Sequence, residues 1–355
     1  MTKVGIAALD ITTTARALEL DTLAELRGVD PAKYARGLEC EQMSVCGEGE
    51  DVRTLAVSAA RGALESWGGD PGELGALIVG TETAVDMSRP LSAWVADALG
   101  LKGRLRSYEV KHACYGGTAA IRQATEWVAS GAARGKAALV VAADVALYAP
   151  EDPGEPTQGA GAAAMIVSED ARVAELEIAS YPYTYPAFDF WRPVGEAFPR
   201  VDGKFSLECY KECARECFAA WLEQEGEGAL DTLGAICFHV PFPKMVKKAF
   251  FHVADELGWA NAQELYDARV APHMRWNRRT GNSYTAASWF AFAHAAAAAA
   301  PGQRVGVFSY GSGAGAELLF ARINDPLGQV WIDRVDASLS ARAPMSAQEY
   351  LDYRS

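Results

Sequence analysis

The sequence predicts a layered α/β protein built from two similar halves, and three observations carry that reading. Short apolar runs alternate with longer helical patterns: Ala137 to Ala142 and Arg304 to Ser309 read as buried strands, Asp51 to Trp67 and Phe205 to Gln224 as helices. The run from Leu74 to Glu82 (LGALIVGTE) is echoed from Leu233 to His239 (LGAICFH), each an apolar strand ending in a side chain capable of acid–base chemistry. The run Gly159 to Met165 (GAGAAAM) is echoed from Gly313 to Leu319 (GAGAELL), in the same order and at similar spacing, as expected of a duplicated unit. A Ser-Glu-Asp turn cluster places the boundary near Asp170 to Val173, giving halves of residues 1–171 and 172–355. Superposing the halves puts Glu82 and His239 at equivalent strand ends, either side of a pseudo-twofold axis.

Composition narrows the function classes. With 355 residues, half of them hydrophobic, the chain can bury a large core. A formal net charge of −13 argues against nucleic acid and anionic membranes, both of which select clustered Lys and Arg. Met1-Thr2-Lys3-Val4-Gly5-Ile6 enters a strand pattern directly and lacks the apolar core of a signal peptide, so a cytoplasmic protein is expected. The longest apolar run, Ala286 to Ala300, is mostly alanine and carries Ser288 and His294, which suits a tightly packed buried helix better than a membrane span. Seven cysteines at irregular spacing fit free thiols better than a disulfide framework. Cys209, Cys213 and Cys217 fall on one helix face, and with no second ligand pair in the sequence they read as packing residues, with no metal site assigned.

Cys114 sits where a strand-like run gives way to a Gly-punctuated, Ala-rich helical pattern, in Val110-Lys111-His112-Ala113-Cys114-Tyr115-Gly116-Gly117-Thr118. A thiol at a helix N-terminus faces unpaired N–H groups and the positive end of the helix dipole, which predicts a pKa below the free value of about 8.5. Its glycines allow another backbone or a thioester to approach. Taken alone, the same pattern also suits a small buried cysteine at a strand-to-helix junction. Glu82, taken alone, better suits a surface carboxylate at a strand end, although apolar neighbours such as Ile78 and Val79 would raise its pKa toward that of a useful base.

Several segments resemble the 3-hydroxy-3-methylglutaryl-CoA (HMG-CoA) synthase family of the thiolase superfamily. They are GTETAVD at 80–86, ACYGGT at 113–118, GEPTQGAGA at 154–162, DFWRP at 189–193, VDGKFS at 201–206, FHVPFPKM at 238–245, GNSYTA at 281–286 and FSYGSGAG at 308–315. They run in family order across nearly the whole chain. The resemblance implies a thiolase-like fold, a duplicated five-layer αβαβα arrangement with pseudo-twofold symmetry. It implies a condensing acyltransferase that joins acetyl-CoA to acetoacetyl-CoA. Cys114 would carry the acetyl group, Glu82 would remove a proton from its methyl, and His239 would hold and polarise the acetoacetyl group.

The resemblance also assigns a wider set of substrate-binding residues. Asp30, Pro31 and Lys33 match a segment bordering the CoA adenosine, and Asp144 and Tyr148 match positions that shape the acyl pocket. Thr157, Asp189 and Ser206 lie in matched segments, and Asn282 and Ser312 match contacts to the second substrate. Lys244 and Lys248, four apart on a helical pattern, would meet CoA phosphates as point charges, although lysines so placed equally make a solvated face. Backbone N–H groups of Cys114 and of Gly311 to Gly313 are candidates for an oxyanion hole. CoA thioesters enter as substrates and no further cofactor is implied. A homodimer and the mevalonate route to isoprenoids are implied too. The alternative keeps the chemistry and changes the carrier: a β-branching synthase of polyketide assembly acting on acyl-carrier-protein-bound groups.

Overall fold

The computed structural model describes residues 3–83 and 85–355. Nine strands make its large sheet: β1 (Gly5–Thr13), β2 (Leu74–Gly80), β3 (Arg106–Val110), β4 (Ala137–Ala146), β5 (Gly159–Ser168), β6 (Ala174–Thr184), β7 (Leu233–Phe238), β8 (Arg304–Gly311) and β9 (Gly315–Ile323). Their spatial order is β3-β2-β4-β5-β1 in the first half and β6-β9-β8-β7 in the second. A short antiparallel seam, Gly5 opposite Glu175 and Ile6 opposite Ala174, joins the two. The helices that frame the sheets and the site include α1 (Val52–Trp67), α2 (Leu91–Ala98), α3 (Gly116–Ala129), α4 (Gly203–Glu225), α5 (Pro243–Glu256), α6 (Thr285–Ala298) and α7 (Ala347–Arg354). Helices α1 and α2 cover one face of the first sheet, α3 and α6 lie between the sheets, and α4 packs on the outer face of the second with α5 against it. The thiolase-like five-layer order is therefore present.

Local sequence explains these elements. Asp51 caps α1 by accepting from the N–H groups of Arg53 and Thr54, while Thr54 returns a bond to the Asp51 N–H. Such a cap contributes about 1 kcal/mol. Gly68, at φ +66°, ends the helix in the left-handed conformation that favours glycine. The alanine-rich run forms α6, buried all round except at its end, because two sheets press on it and small side chains let them come close. Cys209, Cys213 and Cys217 are fully buried along α4. No helix among the described residues is long and apolar enough to cross a membrane.

Strand register documents the internal repeat. Both β2 and β7 carry an irregularity between their first and third residues, after which Ile78 and Val79 oppose Val140 and Val141 in the first half, as Cys237 and Phe238 oppose Val307 and Phe308 in the second. This register corrects one expectation. Counted from the shared irregularity, His239 is the counterpart of Gly80, two residues before Glu82. The two halves deliver carboxylate and imidazole from non-equivalent positions. The cause is a close tertiary contact: a Cβ at Gly80 would lie 2.3 Å from the Gly117 Cα, so only glycine lets β2 run past the start of α3. The second half also lacks a counterpart of β3. Short helices at Ala262–Arg269, Ala271–Met274 and Asn277–Thr280 occupy the corresponding stretch of chain.

Candidate active site

The ends of β2, β4, β7 and β8 and the start of α3 meet at one place. Cys114 lies two residues ahead of α3 in the left-handed region, at φ +55°, a conformation that costs a non-glycine residue energy and here turns the side chain out of the helix path. Its Sγ donates to Glu82 Oε1 at 3.4 Å, and its N–H donates to the same oxygen at 3.1 Å. Close packing makes this approach feasible: a Cβ on Gly311 would fall 1.8 Å from the Ala113 carbonyl oxygen, so the end of β8 presses on the elbow. Gly116 and Gly117 serve protein packing, against the Val110 carbonyl and against Ala142 and Thr285.

Asp144, buried at the end of β4, organises the Glu82 turn. Its Oδ1 accepts from Thr81 Oγ1 at 2.7 Å, from the N–H groups of Glu82 and Thr83 at 2.9 Å each, and from Thr83 Oγ1 at 2.9 Å. Burial raises both carboxyls, and at Glu82 the Asp144 charge adds to the rise. Four donors on one oxygen oppose the rise at Asp144. Arg192 donates to the Glu82 carbonyl at 2.8 Å.

The Cys114 thiol departs from the sequence expectation. Burial, then the charges of Glu82 and Asp144, push its pKa well above the ordinary thiol value. Helix-terminus stabilisation loses because the sulfur is buried next to carboxylates, whose full charges outweigh a partial dipole.

His239 follows β7, its N–H bonded to the Phe308 carbonyl at 2.7 Å and its own carbonyl accepting from Tyr210 Oη at 2.6 Å. Burial lowers its pKa to about 3, so the imidazole is neutral near pH 7 and offers one N–H donor. Its Nδ1 has no partner among the described residues. Cys114 and His239 line one cleft of about 430 Å³, together with Tyr148, Thr157, Ser206, Asn282 and Ser312. The Asn282 amide oxygen accepts from the Tyr284 N–H at 2.9 Å, which directs its NH2 elsewhere. Lys248 and Lys204 also line the cleft, and Lys248 is exposed.

This arrangement places a thiol, a desolvated carboxyl and a neutral imidazole around an apolar slot with cations among its lining. Comparison with known proteins then decides the family. The family models described as hydroxymethylglutaryl-coenzyme A synthase N terminal and C terminal match residues 1–172, and 179–257 and 252–353. The chain belongs to the hydroxymethylglutaryl-CoA synthase family. It is 34% identical to the hydroxymethylglutaryl-CoA synthase of Haloferax volcanii over 99% of this chain and 91% of that one. Its identity to the enzyme of Enterococcus faecalis is 37% over 84% and 78%. The solved structure of MvaS with 3-hydroxy-3-methylglutaryl coenzyme A superposes with a TM-score of 0.93 at 38% identity, covering 99% of this chain and 92% of that one. The curacin-pathway HMG synthase bound to its acetyl donor carrier protein also gives 0.93, at 27% identity over 99% and 88%. As a member of this family the chain is a condensing acyltransferase.

Other residues singled out in the sequence stand further back. Asp189 is fully buried and accepts from Tyr310 Oη at 3.0 Å and Ser312 Oγ at 2.8 Å, so it holds cleft residues in place. Asp144 likewise acts through the Glu82 turn. Lys244 pairs with Glu39 at 3.6 Å instead of lining the cleft. Asp30 and Pro31 belong to the turn leading into the short helix Ala32–Ala35, Lys33 lies within that helix, and Leu38 just beyond it lines the cleft. The Cys114 N–H, a candidate oxyanion donor, is held by Glu82.

Sequence reasoning passed over the aromatic wall. Phe190 lies edge-on to both Tyr148 and Tyr284, with ring centroids 6.3 Å apart in each pair. Tyr284 is buried at φ +51° just before α6. Both lie in matched segments, DFWRP and GNSYTA, which was the available signal. The support from α7 had none. Tyr350 Oη donates to Glu155 Oε1 at 3.0 Å, and Arg354 donates to Gln158 Oε1 at 2.6 Å and to the Tyr148 carbonyl. Glu155 also accepts both N–H groups of an Arg27 fork at 2.8 Å. Removing Arg27 would leave the buried Glu155 carboxylate without its cationic partner, which is destabilising. This network fixes the Tyr148 to Gln158 segment against the cleft.

Proposed function

We propose that the protein condenses acetyl-CoA with acetoacetyl-CoA to form HMG-CoA and CoA, with Cys114, Glu82 and His239 as its catalytic residues. The observation that carries this reading is the 3.4 Å contact between Cys114 Sγ and Glu82 Oε1 at the wall of a cleft that also presents His239. In the first half-reaction the Cys114 sulfur bonds to the acetyl carbonyl carbon, and the thiol proton ends on the departing CoA sulfur. The Glu82 carboxylate, already beside the sulfur, then removes a proton from the acetyl methyl, whose acidity the thioester raises. The enolate carbon adds to the ketone of acetoacetyl-CoA. The His239 N–H polarises that ketone and stabilises the new alkoxide, which then takes up the proton that Glu82 removed, leaving a tertiary hydroxyl and a free Glu82 carboxylate. Water then cleaves the enzyme thioester.

Tyr148, Thr157, Ser206, Asn282 and Ser312 line the substrate path, and Lys248 meets CoA phosphate at the mouth. Asp30, Pro31, Lys33 and Lys244 form the outer rim toward the nucleotide. Asp144 and Asp189 act through Glu82 and Ser312. Residues 1–171 and 172–355 form the two halves. The cellular setting is the cytoplasm, and the product feeds the mevalonate route. The protein works as a homodimer, a reading supported by the outer strand β3, whose Arg106, Ser107 and Tyr108 are exposed.

Free CoA substrates and carrier-bound substrates are separated by one assay. The protein is mixed with acetyl-CoA and acetoacetyl-CoA, or with the same acyl groups on acyl carrier protein, and the six-carbon product is quantified. Turnover with free CoA thioesters at least ten-fold faster than with carriers is expected. The reverse preference would assign the polyketide-type role that likeness to the curacin-pathway structure brings into view.

A further inference from the structure

A second cavity, of about 280 Å³, lies behind Glu82. Phe190 and Tyr284 line both it and the substrate cleft. Glu82 lines the rear cavity while its Oε1 touches Cys114, which lines the front cleft. Glu82, Phe190 and Tyr284 thus form a partition one side chain thick. The rear cavity reaches the surface past Arg192 and Ala197, both exposed. Its volume corresponds to about nine water molecules at about 30 Å³ each, and Glu50, Asp51, Thr83 and Arg192 supply the polar partners that water needs.

The proposed reaction creates a demand that the front cleft does not meet. After condensation the six-carbon unit is joined to Cys114 at one end and to CoA at the other, so the CoA arm fills the entrance. Hydrolysis still needs a water molecule at the Cys114 thioester. We propose that the rear cavity is the entrance for that water and that Glu82 activates it from the rear side. The inference rests on the condensing function given above. The water oxygen bonds to the thioester carbonyl carbon as one water proton passes to the Glu82 carboxylate. The carbon–sulfur bond then breaks, and the leaving sulfur takes the proton from Glu82, regenerating thiol and carboxylate while HMG-CoA departs as the free acid. One carboxylate serves both faces of the partition, which explains why it stands in a wall and not at the bottom of a pocket.

The test uses Ala197→Trp, which narrows the rear mouth at an exposed position, with Ala197→Ser as control. Intact-mass measurements after rapid quenching follow two reactions. With acetyl-CoA alone, acetylation of Cys114 and its slow hydrolysis are expected at unsubstituted rates, because the front cleft admits water once CoA leaves. With acetoacetyl-CoA added, the covalent HMG-CoA adduct is expected to accumulate and to be released at least ten-fold more slowly in Ala197→Trp, but not in Ala197→Ser. Unchanged adduct release would overturn the proposal. So would equal slowing of both reactions, which would make Ala197 a structural contact only. Failure of the unsubstituted protein to form either adduct would instead remove the condensing reading on which the proposal depends.

Discussion

Glu82→Gln is expected to leave self-acetylation within about ten-fold of the unsubstituted rate while lowering carbon–carbon bond formation by about 10³-fold or more, in the range of a lost general base. Two features of the site give this split. The carboxylate acts on the acetyl methyl only after the thioester exists. Its charge and its hydrogen bond also raise the Cys114 pKa, so neutralising it makes the thiolate easier to form. A downward shift of the Cys114 titration in Glu82→Gln, followed by the rate of thiol alkylation against pH, is the accompanying sign. In the unsubstituted protein the Glu82 pKa is raised, and the base form is populated only above it. The condensation rate should therefore climb as pH rises through neutrality, and that limb should vanish in Glu82→Gln. A variant that loses acetylation and condensation equally would contradict the division of labour.

Cys114→Ala is expected to lower turnover to the level of the uncatalysed reaction, with no covalent species at any time. Binding should persist, since the cleft keeps Tyr148, Asn282, Ser312 and Lys248, and it should be measurable by calorimetry with CoA. Removing the sulfur also removes one donor to Glu82 Oε1 and leaves it the N–H of residue 114. Residual turnover above about one part in 10³ would mean that acetyl transfer has another acceptor.

Much of the fold was legible because periodicity and repetition are properties of the chain alone. The strands at 137 and 304, the long helices at 52 and 203 and the alanine-rich helix at 285 lie where apolar spacing put them. The repeat was visible in two echoes, and the strand register agrees with it. The offset between Glu82 and His239 was not visible, because it depends on where β2 can continue past Gly117, a contact between residues far apart in sequence. The direction of the Cys114 pKa failed for a related reason. Sequence shows the helix start but not that Glu82, Asp144 and Asp189 converge on the sulfur. Candidate site residues were found where they sit in distinctive runs, such as Asn282 and Ser312. The wall formed by Phe190 and Tyr284, and the α7 contacts through Tyr350 and Arg354, arise from packing of segments that carry no mutual signal.

The proposed reaction requires Cys114, Glu82 and His239 to converge around one acyl group. The most direct measurement is the intact mass of the protein through a two-step mixing experiment, first with acetyl-CoA and then with acetoacetyl-CoA, with peptide mapping of the adduct. The expected result is a single acetyl group on Cys114 that disappears on the second mixing as HMG-CoA forms. Acetylation at another residue, or an acetyl-Cys114 that acetoacetyl-CoA leaves unconsumed, would contradict it.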